Sequence, residues 1–323
     1  MDVSVIVPVY NAAALINRCL DSIFAQTGGY EVEVICVDDG STDNSVELIK
    51  ARGDSRIKIL SQPNSGPAKA RNTGMALATA QLMAYLDADD YWMPDFFSRT
   101  IPFINQHPEC VAVTVGQRHI TTSGSHISPK FLGSLEEYDD VPKNDCVLDD
   151  YSSFWSKHRH VCTGSIVMRT EIAKKVGGQR EDLRSCEDLE FWAVLSTQGK
   201  FGFIPEVLFV SDGGKVTKTQ GWIAKMQRRW DMTPEIDQCL SRLKVFGALD
   251  DNFAMKAIVG NVGSTLIYDK MLTTRWKMAR RESLIYGKYL RKGFSSKIIN
   301  LAKHTLLTWW LLKKYIHYKE YSR

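Results

Sequence analysis

The chain has 323 residues, of which 44% are hydrophobic and 24% charged, so it can bury one large core or two modest ones and is neither disordered nor collagen-like. Its net charge of +4 conceals a split: residues 1–270 carry 28 Lys and Arg against 35 Asp and Glu, whereas residues 271–323 carry 13 against 2. No apolar run approaches the roughly 18 residues that cross a bilayer, and the basic tail on an acidic body points to an anionic partner surface.

The opening MDVSVIVPVY lacks a basic n-region and a small-residue cleavage site, so it reads as a strand and not as a signal peptide. Val3–Val9, Val32–Val37, Ile57–Leu60, Leu82–Leu86 and Val111–Val115 are short apolar runs rich in β-branched residues, the pattern of buried parallel strands. Helical stretches lie between them. In the first, Leu15, Cys19 and Ile23 recur every four residues; the second is announced by the capping residues Ser41, Thr42 and Asp43 ahead of Val46 and Ile49. The alternation predicts an α/β fold with a doubly wound, mostly parallel sheet, whose ligands sit beyond the carboxyl ends of the strands.

Residues 116–160 are less regular. A strand-like run follows at Gly164–Met168, a short helix at Glu171–Val176 closed by Gly177 and Gly178, a helix at Asp188–Thr197, and a flexible loop at Asp212–Gly214. From about Gly221 the pattern is helical to the end. The expected organisation is a ligand-binding half over 1–115, a second half over 116–215 and a basic helical region over 216–323. The seven cysteines, at 19, 36, 110, 146, 162, 186 and 239, form no CxxC pair. They read as reduced thiols of a cytoplasmic protein and argue against a zinc site.

Two acidic clusters stand at strand ends, Asp38-Asp39 after the second run and Asp87-Ala88-Asp89-Asp90 after the fourth. Carboxylates gathered at neighbouring strand ends repel unless a cation lies between them, and aspartates without His or Cys suit a hard ion such as Mg²⁺ or Mn²⁺ shared with a phosphorylated ligand. The same residues also suit tight turns and helix caps. There is no GxGxxG after the first strand and no GxxxxGK[ST], which weakens dehydrogenase and P-loop readings. Gly66-Pro67 marks a turn into a helix carrying Lys69 and Arg71, where basic groups and free N–H groups would meet a diphosphate or simply face solvent.

The segments VSVIVPVYN, VDDGSTD, NSGPAKARNTG and YLDADD, in this order, resemble the donor-binding half of family 2 glycosyltransferases, which have the GT-A fold. Ser185-Cys186-Glu187-Asp188 is similar to the family's acceptor-side Glu-Asp motif. The resemblance implies inverting transfer of one sugar from a UDP- or dTDP-sugar to a hydroxyl. It places the nucleotide among Pro8, Tyr10, Asn11, Asp39, Arg71 and Asp87, with Asp39 accepting the uracil N3–H and Asp87 on the ribose. It puts a Mn²⁺ or Mg²⁺ ion on Asp89, and it makes Asp188 the general base with Glu187 beside it. Asp38 and Asp90 are expected to brace their neighbours. The polymerising members' Gln-x-x-Arg-Trp has only the shorter Gln227-Arg228-Arg229-Trp230 here, which points to single-sugar transfer. Trp192, one turn after Asp188, would stack on an acceptor sugar or lie in the core.

In the last segment Lys303, Lys313, Lys314 and His317 fall on one side of a helix and Trp309, Leu312, Tyr315 and Ile316 on another, the pattern of an interfacial anchor on anionic lipid or of a docked terminal helix. Nucleic acid is not expected, because no recognition motif accompanies the charge. The resulting expectation is a peripheral enzyme at the inner face of the cell membrane, acting on a lipid-linked saccharide in polysaccharide or lipopolysaccharide assembly. A sugar-phosphate nucleotidyltransferase and a catalytically silent nucleotide-sugar-binding module are the competing readings; PVYNAAAL has neither the Gly nor the Arg expected of the former.

Overall fold

The computed structural model describes residues 1–121, 124–128, 141–158, 163–183, 185–212, 227, 230–246, 255–290 and 294–321. It divides into two compact units, one of residues 1–181 and 195–217, the other of residues 182–194 and 218–323.

The first unit is built on a ten-stranded sheet. In chain order its described elements are β1 (Val3–Val9), α1 (Ile16–Phe24), β2 (Val32–Asp38), α2 (Ser45–Ala51), β3 (Ile57–Ser61), α3 (Pro67–Leu77), β4 (Leu82–Tyr85), β5 (Tyr91–Trp92), α4 (Phe96–Gln106), β6 (Cys110–Thr121), β7 (Gly124–Ser128), β8 (Cys146–Leu148), α5 (Tyr151–His158), β9 (Ile166–Arg169), α6 (Thr170–Lys175) and β10 (Lys200–Ser211). The sheet order is β3-β2-β1-β4-β9-β6-β10-β5, with β7 beside β6 and β8 beside β10. The pairs β1–β2, β1–β4, β2–β3 and β6–β10 are parallel. Strand β9 runs against both β4 and β6, so those two keep a common direction across it.

Strands β1, β2 and β4 are buried almost throughout and mostly apolar because helices cover both faces of the sheet. The apolar side of α1, made by Ile16, Cys19, Leu20 and Ile23, packs into the same core as Val5, Val7 and Val34. Trp92 stacks on Phe96 at 4.3 Å between ring centroids. Helix α3 lies so close to β1 that a Cβ on Gly74 would come within 2.3 Å of Ile6 Cγ2. One expectation is corrected: the Ile57–Leu60 run is an edge strand and not a buried one, and Leu60 is 39% exposed. An edge strand has only one neighbour, and its outer side faces water.

The described part of the second unit is helical. It comprises the start of α7 (Glu187–Leu195), α8 (Ile236–Val245), a π-helical turn (Met255–Gly260), α9 (Asn261–Met271), α10 (Trp276–Tyr286), α11 (Phe294–Ala302) and α12 (Leu306–Tyr321). Buried Glu190 accepts from Arg242 Nε at 2.8 Å, tying α7 to α8. Buried Lys270 pairs with Glu282 at 2.9 Å, tying α9 to α10. All six described cysteines are free thiols, and no helix of the described residues is long and apolar enough to cross a membrane.

Candidate functional site

The carboxyl ends of β1, β2 and β4 and the start of α3 surround a cleft of about 650 Å³ in the first unit. Pro8, Tyr10, Asn11, Asp39, Arg71, Asp87 and Asp89, read from four separate segments, all line it.

The turn after β1 is held by the turn after β2. Asn11 takes a positive φ of 50°. Its N–H donates to Ser41 Oγ at 3.0 Å, and its side-chain oxygen accepts the Thr42 N–H at 2.8 Å. Asp43 accepts the Ala13 N–H at 3.0 Å and the Ser45 N–H at 3.1 Å. The Ser41-Thr42-Asp43 run therefore does not hold the N-cap position of α2, which is Asn44, although Asp43 reaches the first N–H of the helix. Its polar groups clamp two strand-end turns together. Asp38 behaves as a brace: its carboxylate accepts the Ser41 N–H at 2.9 Å.

Asp39 is only 4% exposed and anchors the loop that leads into α3. Its carboxylate accepts from Gln62 Nε2 at 2.7 Å, from the Ser65 N–H at 2.9 Å and from the Gly66 N–H at 2.8 Å. Gly66, with φ +94°, occupies a conformation that side chains resist, and Pro67 then starts the helix. Four residues into α3, Arg71 is buried and not a surface cation. It donates to Asp87 Oδ1 at 2.6 Å and to Gln179 Oε1 at 3.1 Å. Lys69 is the solvated one, 3.3 Å from exposed Glu181.

The acidic end of the cleft carries more groups than its sequence motif. Burial and the nearby Asp87 raise the Asp89 carboxyl, and burial with Asp87 and Asp89 pushes Asp90 up to about 8. Asp90 is 4% exposed and accepts the Asp212 N–H at 2.9 Å, so it positions the end of β10. Arg18, on α1, donates to the Asp212 carboxylate and, at 2.6 Å, to the Asp89 carbonyl, while its guanidinium lies 4.7 Å over the Tyr91 ring. Sequence reasoning missed Arg18 entirely and took Asp212 only as a loop residue. Arg18 sits on the polar side of an ordinary amphipathic helix and makes its contact 194 residues away, so no local signal marks it.

This donor set fits a hard divalent ion. It is made of carboxylate oxygens, and mutual repulsion plus burial leave it short of positive charge. Among the described residues no three His, Cys, Asp or Glu side chains form a metal-holding group. The fit is thus to an ion held by one or two carboxylates and completed by phosphate oxygens and water.

Asp188 and Glu187 open α7 in the second unit. Both are half-buried, and the Asp188 carboxylate accepts the Leu189 N–H at 2.8 Å. Cys186 before them takes a φ of +67°. Trp192 is fully buried against Phe191, with ring centroids 4.8 Å apart, which settles it as core and not as a sugar-stacking surface. Gly213 and Gly214 of the expected loop, and Arg228 and Arg229, lie outside the described residues.

The family model described as Glycosyl transferase family 2 matches residues 4–177. The chain is 41% identical over 104 residues to an uncharacterized glycosyltransferase of Nostoc sp., a match that covers 31% of this chain and 32% of that protein. It therefore aligns with about a third of the length of that curated relative. Among solved structures it is similar to residues 1–349 of S. aureus TarS in complex with UDP-GlcNAc, with a TM-score of 0.59 at 17% identity, covering 94% of this chain and 91% of that one. It is also similar to the mannosyltransferase PcManGT from Pyrobaculum calidifontis in complex with GDP-Man and Mn²⁺, with a TM-score of 0.53 at 19% identity, covering 97% and 84%. At these identities the structural likeness bears on the fold, which is of the GT-A type.

Proposed function

Because the chain belongs to glycosyl transferase family 2, we propose that it moves one sugar from a nucleotide diphosphate donor, UDP-linked or dTDP-linked, to a hydroxyl of a glycan acceptor, with inversion at the anomeric carbon. The observation that carries this reading is that Pro8, Tyr10, Asn11, Asp39, Arg71, Asp87 and Asp89 line one cleft together. Its aromatic and apolar residues suit a nucleoside, and its carboxylates suit a divalent ion that would neutralise a diphosphate.

In this reading Tyr10 and Pro8 pack on the base and Asn11 lines the turn beside it. Asp39 holds the loop before α3 in place and has one carboxylate oxygen, Oδ2, with a single donor among the described residues, leaving it a lone pair for the uracil N3–H. Arg71 orients Asp87 toward the ribose. Asp89 holds Mn²⁺ or Mg²⁺ on the diphosphate, and that ion supplies charge stabilisation for the departing nucleotide. Asp188 takes the proton of the attacking hydroxyl, with Glu187 beside it. The TarS complexes with UDP and UDP-GlcNAc and the PcManGT complex with GDP-Man and Mn²⁺ support a nucleotide-sugar donor and a divalent ion. The basic charge of residues 271–323 supports a lipid-linked acceptor at an anionic membrane face, in polysaccharide or lipopolysaccharide assembly.

The test incubates the purified protein with a panel of UDP- and dTDP-sugars and measures slow release of free nucleotide, with Mn²⁺ or with excess EDTA, in wild type and Asp89→Asn. Metal-dependent release from one donor, lost in the variant, is the expected result. Absence of release from every donor, together with absence of metal-dependent UDP binding by calorimetry, would overturn the reading. UDP binding without turnover in the presence of acceptor glycans would favour the silent binding module.

A further inference from the structure

The last helix has two sides with different fates. Trp309 and Ile316 are buried, and Trp309 Nε1 donates to the Trp276 carbonyl at 2.9 Å. His317 Nε2 lies 3.2 Å from the Met271 carbonyl. The part of the expected apolar face that these residues make is therefore a packing face within the second unit. The opposite side is apolar too, and it is open to solvent: Leu306 is 60% exposed, Leu307 66%, Trp310 45%, Leu311 53%, Tyr315 57% and Tyr318 74%. At about 100° per residue these six fall within a single half-turn of the helix surface. Isolated exposed apolar residues are ordinary, but six on one face of one helix mark an interaction surface.

Charge decides what covers it. Residues 271–323 hold only two acids, and one of them, Glu282, is turned inward onto Lys270. Lys314 lies on the exposed face itself, with its ammonium 5.4 Å from the Trp310 ring, and Lys313 lies 5.4 Å from the Trp276 ring at its border. Lys277, Arg281, Lys288 and Lys297 are exposed elsewhere on the same unit. A second copy docked through the same face would bring one cationic surface against another, whereas an anionic bilayer complements both the charge and the apolar ridge. Tryptophan and tyrosine among the apolar residues match the polarity gradient of the lipid headgroup region, and lysine stems can lie along it with their ammonium groups toward phosphate.

We propose that α12 lies in the plane of an anionic membrane surface, with Leu306, Leu307, Trp310, Leu311, Tyr315 and Tyr318 turned into the lipid and Trp309 and Ile316 clamping the helix to its own unit. This rests on the reading of the chain as an enzyme acting at a membrane face, and it names the face that enters the lipid.

The experiment is co-sedimentation of the full chain with vesicles of equimolar phosphatidylglycerol and phosphatidylcholine, and with vesicles of phosphatidylcholine alone, together with sedimentation velocity without lipid. Expected are binding to the phosphatidylglycerol vesicles that weakens with added salt, a drop of about tenfold or more in partitioning for Trp310→Ser/Leu311→Ser, a drop for Lys313→Glu/Lys314→Glu, and no change in oligomeric state. Residues 310 and 311 are exposed, so that variant keeps the interior, and circular dichroism and a thermal melt verify it. Failure to bind phosphatidylglycerol vesicles, binding unaffected by either variant, or a dimer that the double apolar variant splits would each overturn the proposal. Because no readout involves donor turnover, these outcomes are separate from the fate of the glycosyltransferase reading.

Discussion

Glu33 is a buried carboxylate about 20 Å down β2 from the cleft, six residues from Asp39 at about 3.3 Å each. Its Oε1 accepts from the Ser4 hydroxyl at 2.5 Å and from the Thr79 N–H and hydroxyl at 2.7 Å each; its Oε2 accepts from Lys58 Nζ at 2.7 Å. Ser4 Oγ in turn accepts the Ala80 N–H at 3.0 Å, so one side chain ties β1, β2, β3 and the segment entering β4. Burial by itself raises this carboxyl, but the bonds from Lys58, Ser4 and Thr79 together overcome it and bring the group from 4.5 down to about 2. A group whose pKa is lowered on folding adds stability above its unfolded value and loses it as pH falls toward its folded value. Glu33 therefore contributes about 3 kcal/mol near pH 7 and about 1 kcal/mol near pH 3. Glu33→Gln is expected to cost about 3 kcal/mol near pH 7, and the gap from wild type is expected to close steadily below about pH 5. Paired urea titrations of wild type and variant, followed by tryptophan fluorescence, measure it; because other carboxylates titrate alike in both proteins, the difference isolates Glu33. A gap that stays constant across this range would refute the argument. UDP binding, at the other end of the strands, is expected to be unchanged.

Asp39→Asn places an NH₂ group against a backbone N–H that now donates to a carboxylate, so about 2 kcal/mol of stability and about tenfold or more in UDP affinity are expected to go, read by urea unfolding and calorimetry. Arg71→Lys cannot span Asp87 and Gln179 together, which lie on two terminal nitrogens of one guanidinium. A comparable loss of UDP affinity is expected, and wild-type affinity would contradict the positioning role. A Cβ on Gly116 would stand 2.7 Å from the carbonyl oxygens of Glu206 and Pro205, which are backbone and cannot step aside. Gly116→Ala is expected to destabilise by about 1–3 kcal/mol in a thermal melt, and an unshifted melt would refute the close approach. Asp89→Asn is expected to match or exceed wild-type stability in the absence of ligand, since it removes a buried like charge, while metal-dependent UDP binding falls; a melt well below wild type would show that the carboxylate is structural.

Strands β1, β2 and β4 were legible because burial on both faces writes itself as mostly apolar, β-branched runs, interrupted only by Ser4 in β1 and by Glu33 and Asp38 in β2. Local sequence carries no register between segments, which is why the placing of β9 between β4 and β6 could not be read: adjacency belongs to the folded sheet. The same limit separates the site residues. Asp39, Asp87 and Asp89 sit beside punctuation that sequence displays, namely a strand end and a turn. Arg18 and Asp212 meet across 194 residues. The polar residues of the second turn were visible but misassigned, because Ser, Thr and Asp offer the same acceptors to a helix start as to a neighbouring turn. Only the folded arrangement reveals that Asp43 serves the Ala13 N–H as well as Ser45.

The charges at the strand ends form an ordered arrangement. Arg71 compensates Asp87, and Arg18 compensates Asp212. Asp90 spends its carboxylate on the Asp212 N–H. Among the described residues Asp89 alone of these four carboxylates has neither an ion-pair partner nor a hydrogen bond donated by another residue, although it is half-buried like Asp87 and Asp212. Were the cluster merely a set of turn-forming aspartates, the cheapest arrangement would turn that carboxylate outward into water. Instead, the Asp89 backbone carbonyl is fixed by Arg18, which holds the residue where its side chain lines the cleft. Under the proposed function, one arginine keeps an unpaired carboxylate facing the place where a diphosphate and its cation would sit, and the charge balance is left to the ligand.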